Sequence, residues 1–159
     1  MTPHIDIQVA CEEPVPEPAE IQRWVSAALA HRKAEAEVSV RLVSEVEMTT
    51  LNQQYRGREG STNVLSFPAD LPPELELPLL GDIVVCAAVV AREAREQHKQ
   101  LPQHWAHMLV HGSLHLLGYD HIDAAQADIM ESLETTILQA LGYPCPYGSE
   151  SVTVKAGAQ

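Results

Sequence analysis

The stretch His111-Gly-Ser-Leu-His115-Leu-Leu-Gly118-Tyr-Asp-His121 places three histidines at positions i, i+4 and i+10, with a glycine at i+7. Four residues of an α-helix turn the chain by about 400°, so the imidazoles of His111 and His115 lie on one face, about 40° apart. Gly118 can adopt the left-handed conformation that ends a helix, after which the chain can double back and bring His121 to the same point. We therefore predict a metal site of three imidazoles. Three neutral nitrogen ligands with one open position are typical of catalytic zinc, because structural zinc normally has a fourth protein ligand.

The same spacing occurs in the metzincin proteases, whose pattern is His-Glu-x-x-His-x-x-Gly-x-x-His. Gly112 stands where those proteases carry the glutamate that accepts a proton from water. The sequence therefore predicts a metzincin-like ligand helix whose chemistry differs from that of a peptidase.

Two histidines that precede this stretch leave an alternative open. His107 with His111 is a possible ligand pair, although it would leave His121 without a role. His104 lies about 16 Å from His115 along the helix axis, which is too far for the two to share one ion.

Several polar residues in the predicted loops each have two possible roles. Arg56 and Arg58 are either solvated charges or part of an anion-binding loop near the metal, since guanidinium groups match phosphate oxygens. Gly81-Asp82 either forms a turn or serves the site. Asp120 either orients a ligand histidine or caps a helix, and Asp123 is an equally good cap.

The composition indicates a globular protein. The chain has 159 residues, of which 45% are hydrophobic and 20% charged, and we predict a single domain over residues 1–148 followed by a polar, flexible tail over 149–159. The net charge of −12 argues against a broadly basic protein that coats nucleic acid, but it permits a local basic groove. Cys11, Cys86 and Cys145 are widely spaced, which is typical of reduced thiols in a cytoplasmic protein. We expect neither a signal peptide nor a membrane span.

Hydrophobic periodicity predicts the element order β-α-β-α-β-β-α-α-α. The fold class is therefore α+β, with a small mixed β-sheet of about four strands and about five helices, the sheet lying on one side of the ligand helix. Strands are predicted over Ile5–Val9, Val38–Val43, Val64–Phe67 and Leu79–Cys86. Helices are predicted over Pro18–His31, Glu45–Gly57, Ala87–Gln100, the histidine-bearing segment from Leu101, and Asp123–Gly142. The core face of the last helix is predicted at Ile129, Met130, Leu133, Ile137 and Leu141.

Several motifs between about Leu51 and Gly142 together resemble a known family. They are Tyr55-Arg-Gly, Thr62-Asn-Val-Leu-Ser-Phe-Pro68, Gly81-Asp82-Ile, His104-Trp-Ala-His107 with the histidine stretch, Met130-Glu131 and Leu141-Gly142. The chain resembles the YbeY family of bacterial rRNA maturation factors, which are regarded as single-strand-specific endoribonucleases.

The resemblance implies a site and a role. It implies that one zinc ion is bound by His111, His115 and His121, and that Arg56 is a functional, catalytic residue. It also implies processing of the 16S rRNA 3′ end and ribosome quality control in the cytoplasm. The expected partners are single-stranded rRNA and the small ribosomal subunit with its associated factors.

For this chemistry the metal would act as a Lewis acid, and Arg56 would offset the charge that builds on the phosphate. The identity of the proton acceptor stays open. It could be the hydroxide formed at the metal, a remote base that acts with the RNA 2′-hydroxyl, or Asp82. Two other functions stay open as well. One is a metal-dependent hydrolase of a non-RNA substrate such as a peptide, and the other is a non-catalytic assembly factor in which zinc only stabilises the fold.

Overall fold

A mixed β-sheet organises the fold. The computed structural model describes residues 3–30, 35–69, 78–120 and 122–147. Within those ranges the strands are β1 (His4–Ala10), β2 (Glu37–Val43), β3 (Val64–Pro68) and β4 (Leu79–Cys86), in the order β1-β2-β4-β3. β2 pairs in parallel with β1 and β4, whereas β3 runs antiparallel to β4 at the edge. The predicted mixed sheet of four strands is confirmed.

The helices of the described residues are α1 (Pro18–Ala28), α2 (Glu45–Arg56), α3 (Ala87–Glu96), α4 (Leu101–Leu116) and α5 (Ala124–Ala140). The predicted order of elements and the α+β class are confirmed. At the start of α2 the Ser44 hydroxyl accepts a hydrogen bond from the Glu47 amide at 3.2 Å, and Gly57 ends the helix with a left-handed φ of 66°. α3 ends before its predicted limit, because the backbone at His98 takes a positive φ of 57° and turns the chain towards α4.

Helices cover both faces of the sheet. The side chains of β4 alternate, so Ile83 and Val85 pack in the core cluster that includes α1 and α4, whereas Val84 and Cys86 pack with Met48 of α2. β4 is therefore covered on both faces. The sheet therefore has the predicted ligand helix on one face and α2 on the other.

α4 lies directly on the sheet through Gly112. A Cβ atom at this position would come within 2.9 Å of Ile83 Cγ2 and 3.2 Å of Ser66 Oγ. The Ser66 hydroxyl also donates a hydrogen bond to the Gly112 carbonyl at 3.0 Å. The position that holds a glutamate in the protease pattern is therefore used here for close packing of helix on sheet, and a longer side chain has no room.

The core face of α5 contains four of the five predicted residues, because Met130 and Ile137 are buried and Leu133 and Leu141 pack against the core. Its buried residues are Met130, Glu134, Ile137 and Leu138. Ile129 is 55% exposed, so its assignment to the core was wrong. Glu134 lies at the centre of this face. Hydrophobic periodicity alone does not predict a core position there, because the residue is charged.

Among the helices that the structure describes, none has the length and apolar character needed to cross a membrane. The predicted tail at 149–159 lies outside the described residues.

Candidate functional site

His111 and His115 bring their imidazoles together on one face of α4. Their Nε2 atoms lie 3.2 Å apart, and the ring centroids lie 4.6 Å apart. Two nitrogens that each bind a tetrahedral zinc ion at about 2.0–2.1 Å lie about 3.3 Å from each other. The donor set therefore fits two ligands of one ion. The third predicted ligand, His121, lies outside the described residues, and within the described part of the chain no group of three or more His, Cys, Asp or Glu side chains is arranged to hold a metal.

A buried carboxylate contacts Nδ1 of His111, the ring nitrogen that does not face His115. Glu134 of α5 is 0% exposed. Its Oε2 accepts a hydrogen bond from His111 Nδ1 at 2.5 Å, and its Oε1 accepts from His107 Nε2 at 3.1 Å and from the Tyr147 hydroxyl. Metal-bound histidines characteristically donate their other ring N–H to such an acceptor.

The protonation states around Glu134 agree with this direction of donation. Burial opposes ionisation of Glu134, but the hydrogen bonds from His107 and His111 outweigh it and hold the pKa of Glu134 well below its usual range. Burial also lowers the pKa of His107, so its ring is neutral. Burial and the Glu134 charge raise the pKa of Tyr147, so its hydroxyl keeps the proton that it donates. The ionised Glu134 thus accepts hydrogen bonds from two rings and one hydroxyl.

Sequence reasoning did not predict Glu134 or Tyr147. A signal for Glu134 was present, because it lies four residues after Met130 and three before Ile137 on the apolar face of α5. A carboxylate at such a position needs a buried partner. Tyr147 follows the end of α5 and has no local pattern that marks it.

The histidine pair opens into a cleft of about 770 Å³. The end of α2, strand β3 and the segment after α4 form its walls. Its lining residues are Tyr55, Arg56, Thr62, Asn63, Val64, Leu65, Ser66, Phe67, Pro68, His111, His115, Gly118, Tyr119 and Asp120. The structure thus brings Arg56, predicted as functional, into the same cleft as His111 and His115.

The acidic candidates separate into different places. Asp82 lies on the face of β4 that carries Val84, and it lines a second groove with Arg41 and Glu47. It therefore does not line the cleft with the histidines. Asp120 does line that cleft. Asp123 caps α5 by accepting a hydrogen bond from the Gln126 amide at 2.9 Å.

The remaining histidines of α4 are held by carboxylates away from the cleft. His104 Nε2 donates to Glu93 at 2.8 Å, and this ring is 2% exposed. His107 lies with its ring centroid 6.4 Å from that of His111 and uses Nε2 to contact Glu134. The geometry therefore favours His111 with His115 over the alternative pair His107 with His111.

Comparisons with known proteins agree with this architecture. A family model described as "Endoribonuclease YbeY" matches residues 8–142. The solution structure of TM1509 from Thermotoga maritima is similar over 98% of this chain and 99% of that one, with 25% sequence identity and a TM-score of 0.63. The family match spans most of the 159 residues and includes both α4 and the walls of the cleft. The chain therefore belongs to the YbeY endoribonuclease family.

Proposed function

We propose that this protein is a zinc-dependent endoribonuclease that cleaves single-stranded RNA in 16S rRNA 3′ end maturation and ribosome quality control in the cytoplasm. The small ribosomal subunit and its associated factors would be its partners. The observation that carries the proposal is the pair of Nε2 atoms of His111 and His115, 3.2 Å apart in a cleft that Arg56 also lines. His121 would complete the ligand set.

A zinc ion held by these imidazoles would supply Lewis-acid polarisation of a phosphodiester. The chain's own contribution is to fix the nitrogens. α4 is buried along most of its length, and the hydrogen bond from His111 Nδ1 to Glu134 sets the orientation of the first ring. A rigid support of this kind keeps the site in one geometry through the reaction.

Arg56 supplies positive charge to the cleft. Its side chain is exposed at the end of α2, immediately before the left-handed Gly57 that turns the chain away. A guanidinium group can bind two phosphate oxygens at once and offset charge that builds on them. Since the net charge of the chain is −12, attraction to the RNA backbone depends on local contacts such as this one.

Exposed aromatic rings in the cleft support a preference for unpaired bases. Tyr55 is 59% exposed and packs edge-on against Phe67 with a centroid separation of 5.3 Å, and Tyr119 is 39% exposed. Stacking of a base on an aromatic side chain contributes about 1–3 kcal/mol. Bases within a duplex are already stacked and paired, so single-stranded RNA would use these rings better.

The test compares four proteins purified in parallel: wild type, His115→Ala, Arg56→Ala and the matched control Arg58→Ala. Arg58 is exposed two residues from Arg56 but is not among the residues that line the cleft. Zinc content and cleavage of one RNA sequence, single-stranded and as a duplex, are measured for each protein. We expect His115→Ala to lose zinc and at least about 100-fold of the cleavage rate, and Arg56→Ala to keep zinc but lose about 100-fold.

Arg58→Ala should cleave single-stranded RNA at the wild-type rate, and all active proteins should prefer it to the duplex. Parallel purification controls for a contaminating ribonuclease, because a contaminant would give the four proteins equal rates. Undiminished cleavage after verified removal of the metal would contradict the proposal. Zinc binding without any RNA cleavage would favour the non-catalytic assembly factor instead.

A further inference from the structure

Glu134 is more than a packing residue, because its burial is costly. An ionised carboxylate that is 0% exposed loses its hydration and needs hydrogen bonds in return. A buried ionic group can often be replaced by an apolar residue of similar volume without loss of stability, so packing of α5 on α4 does not by itself explain a glutamate here. The neighbouring positions on this face, Met130, Ile137 and Leu138, are apolar.

The two histidines that contact Glu134 do so through different ring nitrogens. His111 uses Nδ1, at 2.5 Å from Oε2, whereas His107 uses Nε2, at 3.1 Å from Oε1. A carboxylate accepts hydrogen bonds and does not donate them, so each contacting nitrogen carries the proton. In a neutral imidazole the other nitrogen then carries the lone pair.

Opposite tautomers follow for the two rings. When the His111 ring is neutral, its lone pair is on Nε2, which faces His115 Nε2 at 3.2 Å in the cleft. In His107 the lone pair is on Nδ1, which is buried and has no hydrogen-bond partner among the described residues. One carboxylate therefore turns a metal-binding nitrogen towards the cleft at His111 and away from it at His107.

Tyr147 holds the same carboxylate from the other side. Its hydroxyl donates to Oε1, the oxygen that also accepts from His107, and its ring lies edge-on to the His107 ring with a centroid separation of 5.6 Å. Oε2 accepts the hydrogen bond from His111. This division of the two oxygens fixes the rotation of the carboxylate relative to both histidines.

We propose that Glu134 is a positioning residue that sorts the adjacent histidines of α4, fixing His111 as the Nδ1–H tautomer able to bind zinc and His107 as the Nε2–H tautomer that is excluded from the ligand set. The proposal deepens the zinc-dependent function proposed above and rests on it.

The first measurement uses the metal-free wild-type protein. Two-bond ¹H–¹⁵N correlation spectra distinguish the tautomers of individual imidazoles, with the signals assigned from the single variants His107→Phe and His111→Ala. We expect the Nδ1–H form for His111 and the Nε2–H form for His107. The Nε2–H form at His111 in the wild type would overturn the proposal, and this result does not depend on how any Glu134 variant folds.

The second measurement is the zinc affinity, determined by competition with a chromophoric chelator. Glu134→Leu should raise the Kd for zinc by about 10–100-fold and allow His111 to populate both tautomers. The matched control is Asp128→Leu, because Asp128 is an exposed carboxylate on the same helix; its Kd should equal that of the wild type. A folded Glu134→Leu protein with wild-type zinc affinity would overturn the proposal, because a purely structural glutamate predicts this result.

Neither measurement involves RNA, so the two proposals can fail separately. A protein that shows the expected tautomers and affinities but cleaves no RNA would refute the nuclease function alone. Normal RNA cleavage and zinc affinity in Glu134→Leu would refute the sorting role alone.

Discussion

The first half of α4 carries His104 and His107, and its second half carries His111 and His115. In the first half each Nε2 donates to a carboxylate, and the side chains are 2% and 10% exposed. In the second half the Nε2 atoms face each other in the cleft. The same residue type on one helix thus serves the fold at one end and is proposed to bind metal at the other.

The difference lies in the neighbours of each ring and not in the helix. Glu93 of α3 contacts His104, and Glu134 of α5 contacts both His107 and His111. At His111 the carboxylate contacts Nδ1, so Nε2 is the ring nitrogen that faces His115 in the cleft. Helical spacing selects the face, and the carboxylates from other helices select the nitrogen.

The largest effect is expected at Gly112, where the second half of α4 packs against the sheet. Gly112→Glu would restore the glutamate of the protease pattern, but its Cβ alone would come within 2.9 Å of Ile83 Cγ2. Burying an unpaired carboxylate as well costs several kcal/mol, a large part of the roughly 5–15 kcal/mol that stabilises a domain. We expect Gly112→Glu not to fold, as judged by soluble yield and far-ultraviolet circular dichroism.

Gly112→Ala is the matched smaller change. Overpacking of about 1–3 kcal/mol is offset in part or in full by about 1 kcal/mol of helix propensity, so a net loss of about 0–2 kcal/mol is expected. A stable, folded Gly112→Glu protein would show that α4 can move off the sheet and that its second half is less constrained than the contacts with Ser66 and Ile83 indicate.

A second prediction compares the two halves of α4 by replacing one histidine of each half with alanine. His104→Ala removes a buried hydrogen bond to Glu93 and leaves a cavity, so the free energy of unfolding should fall by about 2–3 kcal/mol. RNA cleavage per folded molecule should stay within about twofold of wild type. His115→Ala should do the reverse, with a stability loss of about 1 kcal/mol or less and loss of cleavage.

Urea unfolding and single-stranded RNA cleavage, measured on both variants, provide the comparison. If His104→Ala lost cleavage as completely as His115→Ala while still folded, the division of α4 into a structural half and a functional half would be wrong.

Local sequence patterns predicted what local geometry controls. The predicted strand Val38–Val43 and the shared face of His111 and His115 both depend on neighbours within a few residues, and the structure has both. The face of β4 that carries Asp82 was not predictable in the same way. Its residues from Ile83 to Cys86 are apolar on both faces, so the alternation gave no sign of which face α4 would cover.

The partners of the histidines come from distant parts of the chain. Glu134 lies 23 residues beyond His111, and the cleft joins the end of α2 to β3 and the end of α4. Such contacts depend on how helices pack and not on spacing within one element. A polar residue at an apolar position, as at Glu134, is the sequence feature that marks them.

The smallest expected effect tests the structural half of α4 through pH. Glu93 accepts hydrogen bonds from His104 Nε2 at 2.8 Å and from the side-chain Nδ2 of Asn63 at 3.1 Å. Burial opposes its ionisation, but these bonds outweigh it and hold the pKa of Glu93 below its ordinary value of 4.5. Ionised Glu93 therefore stabilises the folded state at pH values above its pKa in the unfolded chain. This contribution is lost as the pH falls through the lower pKa that Glu93 has in the folded protein.

Glu93→Gln should therefore lower the free energy of unfolding by about 1 kcal/mol at pH 7, and the gap from wild type should narrow as the pH falls below about 4. Urea unfolding in steps from pH 7 towards pH 3 measures the gap, and the contribution of Glu134 cancels because both proteins retain it. Glu96→Gln, at an exposed position of α3, is the matched control and should show no gap at any pH. A gap that stayed constant or widened in acid would mean that ionised Glu93 is not what holds His104, and the contrast between the halves of α4 would then rest on ring burial alone.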